Sequence, residues 1–387
     1  MGIHLLTLLV LRLGEVVLYP VFTTLIPYAG FFPYHDHLPL LHVPAFVYSW
    51  ASFDGIHYLN IARFGYDQYE QAFFPLYPIV IHLFTYFTHN ALIASLIVSN
   101  LSFFAGLIIF AKFLQRVIHR EQSSWTIFFL LSFPTAFFFS ATYTEGFFFL
   151  LVSGTLYLLK TKRYFLAALL TIFASATRLI GVFLIIPFAF ELFYSPGLFR
   201  GHKITVSWKK ILLLLPLVFS PFLGLIAYMT YLQFSTGDSL LFFHAQSMFG
   251  AHRATHLILL PQVWYRYVKI FMTAAHNFQF WISLLEFTFF NGMFALLIMD
   301  FIVWIKKTRS PQFATRISLN LFSLANLILP TLTGTFSSIP RYVLFSLSAI
   351  LVLGEIKSRA LKIILLATFT LAQVLLLGLF LQGYFIS

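Results

Sequence analysis

Apolar stretches about 20 residues long, with few or no charges, recur along this chain, and they constrain its fold more than any other feature. Residues 91–111, ALIASLIVSNLSFFAGLIIFA, carry no charge, and a helix of that length crosses about 30 Å of hydrocarbon. Eleven such stretches are read, at approximately 5–28, 91–113, 123–141, 144–160, 164–178, 180–194, 211–232, 281–305, 317–334, 342–355 and 361–382. With 60% of residues apolar and only 9% charged, the chain cannot clothe itself in a water-facing surface, since ordinary domains carry about a quarter charged residues. A soluble globule is excluded. The expected fold is an all-α polytopic membrane protein, with residues 1–387 forming a single integral-membrane domain of about 11 transmembrane helices. Two segments fall outside the spans, 29–90 and 233–280. Both mix aromatics, His, Pro and charges, and are expected to be a first and a later outer loop with helices lying in the interface. The chain has no cysteine, so disulfide and thiol chemistry do not arise.

A net charge of +12 is explained by topology before nucleic acid is considered. With a cytoplasmic N-terminus, the connections 112–121, 160–163, 199–210, 305–316 and 355–362 hold 17 of the 24 Lys and Arg residues. The other face receives Arg63, Arg178, Arg253, Arg266, Lys269 and Arg341, while Arg12 lies inside the first span. Cytoplasmic loops are the ones enriched in Lys and Arg, so this orientation is selected. Asp36, Asp54, Asp67, Glu70, Glu145 and Asp238 then all lie on the non-cytoplasmic side. The first span keeps Arg12 and Glu15, an expected intramembrane pair, and lacks a small-residue cleavage pattern, so it reads as retained.

No nucleotide-binding loop, dinucleotide fingerprint or metalloprotease motif occurs. The most informative segment is residues 50–78, WASFDGIHYLNIARFGYDQYEQAFFPLYP. From Trp50 to Phe64 the apolar positions recur at helical spacing, with Ser52 available to cap and Gly65 placed to end the helix. Trp50, Asp54, His57, Tyr58 and Ile61 would share one face. A carboxylate among aromatics is costly and in membrane proteins is usually kept for a purpose. A first-turn Asp favoured by the helix dipole is the other reading of the same spacing, and spacing leaves both open.

These residues resemble the PIG-V family, the mannosyltransferases that add the second mannose of the GPI anchor, together with their prokaryotic relatives. Asp54 falls on the family's aspartate, Tyr58 on its tyrosine, Gly65-Tyr66 on its GY pair and Phe73 to Pro78 on its FFPLYP stretch. Residues 134–148, PTAFFFSATYTEGFF, are similar to a later block, with Tyr143 and Glu145 on its polar positions. Ala176-Thr177-Arg178 with Gly181, and Pro340-Arg341-Tyr342, resemble two further steps, whereas about 195–330 offers no motif to carry over. Ser52-Phe53 depart from the family, which often sets a tryptophan beside its aspartate.

The resemblance implies a fold and enzyme of the GT-C type: an inverting glycosyltransferase that moves a sugar, here mannose, from a polyprenyl-phosphate donor to a lipid, glycan or protein acceptor on the non-cytoplasmic face. Asp54 is expected as general base. Arg341 and Arg178 are expected to meet the phosphate, Glu145 to orient the acceptor or brace the first loop, and Tyr58 and His57 to contact substrate; a snorkelling Arg341, an Arg178–Glu145 salt bridge across the bundle and a packing His57 are the structural alternatives. One carboxylate suffices for such chemistry, because a phosphate leaves as a stabilised anion whereas a glycosidase must protonate an alkoxide. No cofactor is expected. A metal site at His244, His252 and His256 is not expected either, and nucleic acid is not an expected partner. The chain is placed in a prokaryotic cytoplasmic membrane with its site outward, or in the ER membrane if eukaryotic. A transporter or flippase of lipid-linked saccharides is the alternative, with Asp54, Glu145 and Arg341 lining a passage instead of a reaction site.

Overall fold

The structure, a computed structural model, describes residues 2–29, 35–193, 208–249, 253–254 and 256–386. Every regular element among the described residues is helical. Helix α1 (Gly2–Leu25) leads into the stretch expected as the first outer loop, which carries α2 (Ala45–Tyr48), α3 (Asp54–Phe64) and α4 (Leu76–Thr88). Then come α5 (Ala91–Val117), α6 (Arg120–Leu131), α7 (Glu145–Lys160), α8 (Tyr164–Thr177), α9 (Ile185–Phe193), α10 (Trp208–Phe219) and α11 (Pro221–Thr236). The stretch expected as the later outer loop contains α12 (Leu241–His244) and α13 (Leu260–Thr273), and α14 (Phe278–Ile305), α15 (Phe313–Ile328), α16 (Ile339–Tyr342), α17 (Leu347–Glu355) and α18 (Arg359–Leu381) follow.

Among the described residues, five segments are long and apolar enough to cross a membrane: Leu6–Leu25, Ala91–Val117, Phe278–Ile305, Phe313–Thr333 and Arg359–Leu381. The other expected spans are built as shorter or broken helices. The stretch 123–141 stops as an α-helix at Leu131, ahead of Pro134, and continues as a 3-10 turn at Ala136–Phe139. The stretch 211–232 is interrupted at Ser220, before Pro221, and 342–355 keeps only the nine residues of α17. Apolar composition does not distinguish a helix from a buried turn. Irregular backbone at membrane depth is tolerated only where protein or a cavity surrounds it, and Phe137, Phe138, Phe139, Val343, Leu344 and Phe345 are all fully buried. The basic connection expected at 199–210 lies largely outside the described residues, and His252 lies outside them.

The bundle is built from successive close pairs, α5 against α7, α7 against α8 and α8 against α11. Two glycines permit this. A Cβ on Gly146 would run into the backbone of Ser99 and Phe139, and one on Gly224 into the backbone of α8. Buried hydroxyls tie neighbouring segments of the bundle, with Ser95 bonded to Thr142 (2.8 Å), Tyr77 of α4 to Ser99 of α5 (2.7 Å) and Thr171 to Ser220 (2.7 Å). The phenylalanines stack between helices, Phe103 on Phe139 at 4.3 Å. The expected Arg12–Glu15 pair is present, with one guanidinium nitrogen at 2.6 and 2.7 Å from the two carboxylate oxygens.

One charged cluster lies near the start of α15. Arg316, with no exposed surface, donates to Glu355 (2.5 and 2.9 Å) and to Asp300 (3.0 Å), and Asp300 also accepts from Asn320 (3.0 Å) and Ser348 (2.6 Å). Although it sits in an expected cytoplasmic connection, this arginine is an internal tie between α14, α15 and α17. The 3-10 turn Leu329–Thr333 marks the other end of α15, about 20 Å away at 1.5 Å per residue. The candidate site gathers at that far end.

Candidate active site

Both candidate carboxylates stand at the first residue of a helix. Asp54 opens α3 and Glu145 opens α7, where unpaired N–H groups and the helix dipole favour negative charge. Helix α3 starts later than its hydrophobic pattern suggests. Residues 49–51 form a 3-10 turn, Ser52 bonds back to Ser49 rather than capping α3, and Phe53 has φ 59°. The cause is tertiary: the Trp50 carbonyl accepts from the Thr142 amide (3.0 Å) and the Ser52 carbonyl from the Tyr143 hydroxyl (2.8 Å), which binds this turn to the segment preceding α7. The helix ends at Gly65, φ 83°, as its sequence suggests.

The candidate cations come from helix ends. Arg178 follows α8, and Arg341 lies in the four-residue α16, which Ser338, with φ 67°, and Pro340 initiate. Arg341 Nη1 donates to Asp54 Oδ2 at 2.6 Å, the side chains 10% and 23% exposed. Arg178 donates to Glu145 and to the Thr144 hydroxyl (3.1 Å), and its guanidinium packs over the Tyr342 ring at 4.9 Å. Tyr143 lies under Arg341 at 5.1 Å. Among the described residues, Arg341 Nε and Glu145 Oε2 are buried with no hydrogen-bond partner.

Burial pushes the Asp54 carboxyl up, but Arg341, assisted by His57 and Arg253, more than offsets this and holds it below the usual carboxylate range. Arg341 is correspondingly raised: burial opposes its charge, and Asp54 and Glu145 outweigh burial. Burial, with Asp54 and Glu145 nearby, raises the Tyr58 hydroxyl, so Tyr58 is a neutral donor at any working pH.

Asp54, Tyr58, Glu145, Arg178 and Arg341 all line one cavity of about 230 Å³. Five sequence candidates from four distant stretches are thus brought together. His57 is not among them. It bonds Glu70 at 3.0 Å, stacks on Phe73 at 5.0 Å and lines a different cavity together with Asn60, Arg63 and Asp67. One step along a helix turns the side chain by about 100°, which separates His57 from Tyr58. His244 pairs with Asp238 at 2.7 Å on the exposed surface. Sequence reasoning did not single out Arg253, which lines the same cavity as Asp54 and donates to Gln246 (2.8 Å) and Ser338 (3.1 Å). Its only signal was a basic residue in an outer loop.

Comparison with known proteins gives the arrangement a context. No curated protein matches the chain in sequence. Among solved structures it is similar to the Archaeoglobus fulgidus oligosaccharyltransferase, solved with a tethered acceptor peptide containing the NVT sequon, at 10% identity and a TM-score of 0.44. That similarity covers 98% of this chain and 55% of the other, so the chain spans about half that protein's length. A family profile described as Mannosyltransferase (PIG-V) matches residues 43–252, more than half of the 387 residues. The match takes in Asp54, Tyr58, Glu145 and Arg178, extends through the stretch after 195 where no motif was legible, and stops short of Arg341. By that match the chain belongs to the PIG-V family of mannosyltransferases.

Proposed function

We propose that this membrane glycosyltransferase moves mannose with inversion from a polyprenyl-phosphate donor to an acceptor hydroxyl, with Asp54 as general base. The observation that carries the reading is the Asp54–Arg341 pair, which sets a base and a cation 2.6 Å apart in the wall of one cavity. Asp54 takes the acceptor O–H proton, the acceptor oxygen bonds the anomeric carbon, and the bond from that carbon to the phosphate oxygen breaks, its electron pair leaving on the phosphate. Arg341 is paired with the base. A donor phosphate that draws Arg341 toward itself would free Asp54 as the leaving charge develops, coupling the two halves of the reaction. Tyr58 is a neutral hydrogen-bond donor for the sugar or acceptor. Glu145 holds Arg178 in the cavity wall, leaving one carboxylate oxygen for the acceptor. The active face is non-cytoplasmic, following the charge asymmetry of the loops, and residues 1–387 act as one membrane-embedded unit.

The test supplies purified protein with labelled polyprenyl-phosphate mannose and an acceptor extract. The wild type transfers label and releases polyprenyl phosphate. Transfer that proceeds only from a sugar nucleotide would refute the donor class.

A further inference from the structure

Three arginines and two acids line the candidate active-site cavity, Arg178, Arg253 and Arg341 against Asp54 and Glu145. Two of the cations are already matched, Arg341 with Asp54 and Arg178 with Glu145. Arg253 is not. All 12 Asp and Glu residues of the chain fall among the described residues, and none of them forms an ion pair with it there; its partners are the neutral Gln246 and Ser338. A half-buried guanidinium with only neutral partners carries part of the cost of an unmatched charge, and burial depresses Arg253 below its ordinary value despite Tyr342, Asp54 and Glu286. An anion entering the cavity would relieve that cost.

The surroundings indicate which anion. Leu257, one helical turn's count along the chain from Arg253, lines the same cavity and is 69% exposed, and Leu329, Pro330 and Leu332 continue the apolar wall. A cation without an acidic partner beside an apolar wall with an exposed leucine fits a phosphate that carries a hydrocarbon tail. We propose that Arg253, fixed by Gln246 and Ser338, is the docking point for the phosphate of the lipid-linked donor, ahead of Arg341 and Arg178. This rests on the donor class proposed above. Because Ser338 lies in the turn that starts α16, a phosphate bound at Arg253 sits beside the element that carries Arg341, from which the second cation can join it as the bond breaks.

The experiment measures binding of farnesyl phosphate, farnesol, inorganic phosphate and a sugar nucleotide to the purified full-length protein in detergent, for wild type, Arg253→Gln and Arg253→Lys. Wild type should bind farnesyl phosphate more tightly than the other three. Arg253→Gln should weaken farnesyl phosphate by about tenfold or more, the scale of one charged hydrogen bond, and leave farnesol unchanged, with Arg253→Lys recovering part of the loss. Equal binding of farnesyl phosphate by wild type and Arg253→Gln, or a parallel loss of farnesol affinity, would overturn the assignment of Arg253 while wild-type preference for the lipid phosphate leaves the donor class standing. A wild type indifferent to the phosphate, or one that prefers the sugar nucleotide or inorganic phosphate, overturns both.

Discussion

Replacing Asp54 and Arg341 singly and together separates catalysis from architecture. The pair is 2.6 Å long with side chains 23% and 10% exposed. Stranding one member of a fully buried pair costs about 3–5 kcal/mol; Arg341→Gln strands Asp54, whose partial exposure reduces the expected cost to about 1–3 kcal/mol. Asp54→Asn strands the less exposed Arg341 and should cost about as much or somewhat more. In the double variant neither charge is stranded, so its loss should fall short of the sum of the single losses by on the order of 1 kcal/mol. Transfer behaves differently. Loss of a general base lowers turnover by about 10²–10⁴-fold, and the double variant should recover none of it. Apparent Tm in detergent and initial rates of mannose transfer on the same preparations give both quantities. Additive stability losses would mean that the pair is not formed in solution. Wild-type turnover by Asp54→Asn would place the base elsewhere, and recovered turnover in the double variant would reduce Asp54 to a holder of Arg341.

The depressed Asp54 carboxyl predicts a pH signature. Its stabilising contribution is present above the unfolded-state carboxyl pKa and lost as pH falls through the lower folded-state value, and transfer needs the ionised form. The acid limb of kcat/KM should therefore lie below the ordinary carboxylate range, and Arg341→Gln, which leaves burial unopposed by its main partner, should move that limb to higher pH; an unmoved limb would refute the coupling. Orientation can be read by labelling, because the chain has no cysteine. Gln68→Cys and Lys306→Cys, both at exposed positions, should react with an impermeant maleimide from opposite sides of the membrane, Gln68→Cys from the non-cytoplasmic one, and the reverse pattern would invert the site.

The candidate site was legible where chemistry is local and illegible where it depends on distant chain. Asp54, Tyr58, Glu145, Arg178 and Arg341 each stood in a short recognisable pattern, and all five line the cavity. That Arg341 pairs with Asp54, 287 positions away, leaves no periodic trace in either segment. The position of His57 depended on Glu70, whose carboxylate also takes the Asp67 amide at 3.1 Å and so draws the ring to the back of α3. Helices α1, α5, α14 and α18 were plain because lipid imposes length and apolar character together. The breaks after Leu131 and before Leu347 were hidden because buried turns use the same phenylalanines and leucines as buried helices. Arg253 went unremarked because its significance lies in what its neighbours lack, a carboxylate, which only spatial proximity reveals.

The separation of Asp54 from Arg341 along the chain also bears on biogenesis. As the polypeptide emerges from the ribosome, the aspartate reaches the membrane with the earliest helices, and its counter-charge follows 287 residues later. The Asp54–Arg341 pair can therefore close only after nearly the whole bundle has been made, and a chain that ends before α16 keeps Asp54 without its ion-pair partner.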